Sequence, residues 1–246
     1  MIRNEDEIKK MAKAGKVVAE IHEKIRSAIK PGVTTLELDK VSRDVLEKRG
    51  ATSNFLGYHG FPATICTSPN SMIVHGIPGS YVLKEGDLIS VDCGAIVDGY
   101  HGDAAFSVGV GNVSKSVSRL IEVTEKSLFA GIDKLVAGNH LHEVGRAIQD
   151  VAEAAGYSVV KEYVGHAIGT RMHEEPQVPN YWPGHPGPRL KVGHVFAIEP
   201  MVNEKGAETV VLDDGWSVVT KDGSLSAHFE HTIAITDAGP TVLTTL

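Results

Sequence analysis

The chain has 246 residues, 42% of them hydrophobic and 22% charged, with a formal net charge of -7. That is the composition of a folded, enzyme-like body, and without a long Lys/Arg run it argues against a nucleic-acid face. Residues 1–10 lack an apolar signal region, no stretch reaches the roughly 18 apolar residues of a membrane span, and Cys66 and Cys93 alone make no disulfide framework; a cytoplasmic protein off the membrane is expected.

The first helix is predicted over residues 5–29. Asn4 and Glu7 form a capping box, Ile8, Met11, Gly15, Val18, His22 and Ile25 share one face, and Pro31-Gly32 is the stop. Thr34 and Glu37 start a second helix the same way, with Leu38, Val41 and Val45 inward and Gly50 at its end. Strands over 88–97 and 100–108 flank the hairpin turn Asp98-Gly99. A third helix carries Leu120, Val123, Leu128, Ile132 and Leu135 and ends near Gly138; a fourth carries Val144, Ile148 and Val151 and ends at Gly156. A short strand over 158–164 follows. The five-proline segment 174–189 reads as a structured loop, and strands are expected over 194–198, 208–212, 216–220 and 229–236.

Gly32, Glu37, Asp44, Val45, Glu47 and Gly50 recur, 106 positions on, as Gly138, Glu143, Asp150, Val151, Glu153 and Gly156. The expected architecture is therefore α+β, with helices outside a curved antiparallel sheet. A single catalytic domain, 1–246, would be built of two pseudo-symmetric halves, approximately 5–110 and 111–240. Functional groups are expected where the halves meet.

The hairpin carries the first chemistry. With Val97 opposite Tyr100, Asp103 falls opposite Gly94 and Asp92 opposite Ala105, which puts both acids on one face, roughly 7–8 Å apart at the backbone. Two buried carboxylates this close need a cation or a proton between them; two solvated acids on an edge hairpin are the alternative. His166, among small residues, reads alone as a core or loop histidine. Glu199 ends an apolar strand and Glu230 lies inside another, each a ligand, a solvated edge group or half of a buried ion pair. Taken together, four carboxylates and an imidazole suit Mn, Fe(II), Co or Zn rather than a soft thiolate site. Their four negative charges balance two divalent ions.

Tyr58-His59-Gly60-Phe61-Pro62, Val74-His75-Gly76-Ile77-Pro78, His101-Gly102-Asp103, Gly165-His166 through His173-Glu174-Glu175-Pro176, Ala197-Ile198-Glu199-Pro200 and Phe229-Glu230-His231-Thr232 resemble, in order, segments of the type I methionine aminopeptidases of the M24 metallopeptidases, in their short bacterial form. The likeness runs from the first helix to about Thr236. It implies the pita-bread fold and a centre of two divalent metal ions (Co, Mn, Fe or Zn). Asp92 would chelate one metal, Asp103 and Glu230 would bridge, and His166 and Glu199 would complete the other.

It also implies removal of the N-terminal methionine from nascent polypeptides with a small second residue, by a metal-activated bridging hydroxide. Glu199 would act as base and then acid. His75 would bond near the scissile amide and His173 would steady the carbonyl oxygen, while Tyr58, Cys66, Met172 and Trp216 would wall the methionine pocket. Nascent N-termini, a transient ribosome contact and a monomeric state follow by the same likeness. Ala167 and Met172 depart from the family, which usually has glycine and an aromatic there. His59, His101 and His231 read either as donors behind the site or as ordinary structural histidines. The competing readings are a proline-specific peptidase of the same fold, whose members carry an extra N-terminal domain, and a metal-free binding scaffold, expected to have lost a ligand.

Overall fold

Asn4 Oδ1 accepts from the Glu7 amide at 3.0 Å while the Glu7 carboxylate accepts from the Asn4 amide at 2.9 Å, satisfying two of the donors a helix start leaves open. The structure, a computed structural model, describes residues 2–246, and this box opens α1, Glu5–Ala28. Thr34 and Glu37 repeat it for α2, Thr35–Arg49, which Gly50 closes in the left-handed region at φ 60°. Short strands β1 (Thr52–Ser53), β2 (Ile65–Pro69) and β3 (Met72–Val74) precede the hairpin of β4 (Leu88–Val97) and β5 (Tyr100–Gly109). Then come α3 (Lys115–Ile132), α4 (His142–Ala154), β6 (Ser158–Val159), β7 (Gly165–Ala167), β8 (Glu174–Val178) and β9 (Val195–Ile198). The chain ends through β10 (Met201–Asn203), β11 (Thr209–Val211), β12 (Val218–Thr220), β13 (Ser226–His228), β14 (His231–Thr236) and β15 (Gly239–Val242).

All pairings are antiparallel among the described residues. One sheet centres on β4, which carries β1, β2 and β5; another runs β15-β14-β9-β7-β8; two smaller ones run β13-β10-β6 and β11-β12-β3. The hairpin register is the expected one, with Gly94 opposite Asp103 and Asp92 opposite Ala105. Val18, Ile21 and Ile25 of α1, Leu120 of α3 and Ile148 of α4 pack with Val91, Phe106, Phe196 and Ile233 of the strands in one buried cluster. Period-two alternation then turns Asp92 and Asp103 away from Val91 and Phe106. No helix among the described residues is long and apolar enough to cross a membrane.

Segments about 106 positions apart share backbone detail. Gly32 and Gly138 have φ of 94° and 96°, and their amides donate to Leu83 and Leu190. The bridge Thr34–Val82 has its counterpart in His140–Arg189, and Gly86 donates to Val110 as Gly193 does to Ile235. The offset from Gly86 to Gly193 carries Asp92 onto Glu199; that from Val110 to Ile235 carries Ala105 onto Glu230. Ala105 and Glu230 exchange both backbone hydrogen bonds, at 3.2 and 2.9 Å. This pairing brings Glu230 beside the strand that carries Asp103.

Several boundaries differ from expectation. α3 stops at Ile132 because Lys134 and Leu135 bond three residues back instead of four, although Leu135 stays fully buried and so keeps the apolar spacing. The strand expected over 158–164 shrinks to β6. The proline-rich loop begins with a strand, β8, which tolerates Pro176 because it lies at the sheet edge, where a missing N–H breaks no inner ladder. Leu141 at the N-cap offers no side-chain cap, so the capping box of α2 is not repeated before α4.

Candidate metal centre

Every residue predicted for the site lines one cavity of about 130 Å³. Asp92 and Asp103 come from β4 and β5, His166 from β7, Glu199 from the residue after β9, and Glu230 from the link between β13 and β14. Ligand atoms of Asp103, His166 and Glu230 all lie within 4.8 Å of one another, and His166 Nε2 is 3.6 Å from Glu199 Oε1. His166 Nδ1 bonds the Ala167 carbonyl at 3.1 Å, which makes Nδ1 the donor and leaves Nε2 as a free acceptor toward the acids. The methyl of Ala167 is itself buried and leaves this bond intact.

Burial here carries an electrostatic penalty. It pushes the carboxyls of Asp92, Glu199 and Glu230 well above their ordinary range, and mutual repulsion adds to it. Asp103 is raised to about 7 by burial, restrained by hydrogen bonds from Asn54 and the Ala104 amide. Burial also lowers His166 to about 3, so its imidazole is neutral. Asp92 and Glu199 are only half-buried as residues because one side opens on the cavity. Even so, Asp92 Oδ1, Asp103 Oδ1 and Glu230 Oε1 are sealed from solvent and find no hydrogen-bond partner among the described residues. Orphaned anionic oxygens beside an unprotonated imidazole nitrogen fit a divalent cation.

The other end of the cavity is apolar. Phe55, Phe61, Cys66 and Met172 form a buried cluster with Trp216 against it. The rim carries histidines: Tyr58 Oη lies 2.8 Å from His173 Nδ1, and the His173 and His166 rings are 4.4 Å apart between centroids. His75 takes a left-handed backbone, φ 61°, a strained conformation for a residue with a side chain, and its ring stands edge-on to Trp216 at 6.5 Å. Burial lowers its pKa to about 4. Burial also raises the Cys66 thiol, so it is present as an apolar wall and not as a thiolate. His59, His101 and His231 lie outside the lining, and His231 bonds Thr244 at 2.8 Å.

Sequence reasoning missed Asn54, Thr232, Phe55 and Phe61. The space over Gly94, opposite Asp103, holds the Asn54 carboxamide, which donates to the Gly102 carbonyl at 3.1 Å and approaches Asp103 Oδ2 at 3.5 Å. Thr232 Oγ1 clasps the Asp103 backbone, accepting from its amide at 2.9 Å and donating to its carbonyl at 2.8 Å. For Asn54 the signal is the pairing of a glycine in β4 with an asparagine near β1, which depends on a register between distant segments, while Phe61 and Thr232 lie within the family-like segments with no role attached.

The description of Metallopeptidase family M24 matches residues 9–237. The chain belongs to metallopeptidase family M24. It is 48% identical to a methionine aminopeptidase of Clostridium perfringens over 99% of this chain and 98% of that one. With a methionine aminopeptidase 1 of Bacillus subtilis it shares 51% identity over 95% of this chain and 94% of the other. The crystal structure of a methionine aminopeptidase from Thermotoga maritima superposes with a TM-score of 0.97 at 42% identity, each chain fully covered. The architecture is thus the pita-bread fold, and the M24 chain is a metal-dependent hydrolase.

Proposed function

We propose that the chain removes the N-terminal methionine from new polypeptides, preferring a small second residue. The observation that carries this is the two-ended cavity, in which an unbranched apolar side chain has a cup of Phe55, Phe61, Cys66, Met172 and Trp216 next to a cation-ready floor of acids. A free α-amine suits that floor, and an acylated one does not. Asp92, Asp103, His166, Glu199 and Glu230 would hold two divalent ions (Co, Mn, Fe or Zn), since four carboxylate charges balance two dications. When bound, the ions acidify water and polarise the scissile carbonyl.

The chain's own residues do the rest. Glu199, lining the cavity beside His166, takes a proton from the attacking water and returns it to the departing amine. With the Tyr58 hydroxyl donating to Nδ1, His173 presents Nε2–H toward the carbonyl oxygen. His75, neutral and fixed by its strained backbone, bonds at the scissile amide. A larger groove of about 540 Å³ shares His166 and His173 with the cavity and gives the downstream chain a way out. We read residues 1–246 as one catalytic domain of two halves, 5–110 and 111–240, acting as a monomer in the cytoplasm on chains leaving the ribosome.

The test strips the protein of metal, restores Mn or Co, and follows Met-Ala-Ser, acetyl-Met-Ala-Ser and Ala-Pro peptides by mass spectrometry. Free methionine released from the first peptide alone is expected. Cleavage of Ala-Pro peptides in its place, or no cleavage by metal-loaded protein, would overturn the reading.

A further inference from the structure

The turn that carries Met172 and His173 is tied to the start of the chain by a buried ion pair. Glu174, the next residue, is 8% exposed and Arg3 is 4% exposed. Arg3 Nη2 donates to Glu174 Oε1 at 2.5 Å and to Oε2 at 2.6 Å. The same Oε1 accepts from the Thr170 and Arg171 amides at 3.1 and 3.3 Å, so the turn folds around this one charge.

Arg3 is itself firmly seated. Its amide donates to the Gly193 carbonyl at 2.7 Å, and its Nη1 lies 3.6 Å from Glu7 Oε1, which also accepts from the Tyr100 hydroxyl at 3.1 Å. Two glycines make the seat. A Cβ at Gly169 would overlap the guanidinium, reaching Nε at 2.6 Å, and one at Gly193 would come within 2.5 Å of the Arg3 carbonyl oxygen. Arg3 is absent from the cavity lining. A carboxylate this deeply buried holds its place only while its counter-charge does; without the guanidinium, Glu174 turns to water and draws the turn with it.

We propose that Arg3 is a positioning residue which, through Glu174, holds the 170–174 turn so that His173 faces the cavity. This rests on the role given to His173 above. A double-mutant cycle on the full-length, metal-loaded protein separates such action from general loosening. Its readouts are kcat and KM on Met-Ala-Ser for Arg3→Met in the natural and the His173→Ala backgrounds. Arg3→Met is expected to lower kcat at least ten-fold with KM changed less than three-fold. Arg3→Lys is expected to recover most of that loss, and in the His173→Ala background the effect of Arg3→Met should shrink below two-fold.

Glu174→Gln, which removes the charge and keeps the shape, takes the place of Arg3→Met should that variant not fold, with the same expectations in both backgrounds. An equal fold-loss in the two backgrounds, or no loss in the natural one, would overturn the proposal. Full activity of His173→Ala alone would overturn the reading of His173 and this link together. Loss in His173→Ala without the predicted coupling would overturn the link alone.

Discussion

Gly94 sits where a methyl group cannot, and the consequence can be worked out. A Cβ there would overlap the Asn54 amide nitrogen and lie 2.5 Å from Asn54 Cγ and 2.8 Å from its Cβ. Asn54 is only 5% exposed and cannot swing into water without leaving the Gly102 carbonyl and Asp103. Gly94→Ala therefore combines overpacking, about 1–3 kcal/mol, with a broken buried hydrogen bond, about 1–3 kcal/mol. Because the two overlap, the sum is about 2–4 kcal/mol, or a fall in Tm of roughly 4–16 °C for a chain of this length. Thermal unfolding of the metal-free protein measures it. In an Asn54→Gly background, which removes all three opposing atoms, Gly94→Ala should cost less than about 1 kcal/mol. An equal cost in both backgrounds would refute the reasoning.

The acids give the metal-free protein a distinctive pH response. Asp103 goes from 3.8 unfolded to about 7 folded, so the folded state holds a proton the unfolded chain has released. Its contribution is fully present below about pH 4 and is lost as pH rises from there to about 7. Melting temperatures should fall from pH 4 to 7 without metal, and fall less with saturating Mn; a level metal-free profile would contradict this. Glu199→Gln should lower kcat by about 10²–10⁴, and an unchanged kcat would remove Glu199 from proton transfer. Met172, 5% exposed within the apolar cup, can be replaced by Phe at a cost of about 1–3 kcal/mol. Methionine should remain preferred over norleucine in the natural protein, which parallel kcat/KM values on the two substrates would check.

What the sequence made legible follows from local rules. The capping boxes at Asn4 and Thr34, the Asp98-Gly99 turn and the register it sets, and hence the shared face of Asp92 and Asp103, each depend on neighbours a few residues apart. Short strands such as β2, β3, β10 and β13 escaped because three to five residues carry too little periodicity and are held by partners far along the chain. β8 hid behind Pro176, whose missing N–H matters only for an inner strand. Asn54 and Thr232 were invisible for a related reason, since their value lies in contacts to Gly94 and Asp103 across long sequence separations. The Arg3–Glu174 pair spans 171 positions and no local pattern announces it.

Anomalous scattering from a crystal soaked in Mn tests the central claim most directly. Two peaks about 3.5–4 Å apart, enclosed by Asp92, Asp103, His166, Glu199 and Glu230, are the expected result. Ions bound elsewhere, with these side chains left uncoordinated, would contradict the account.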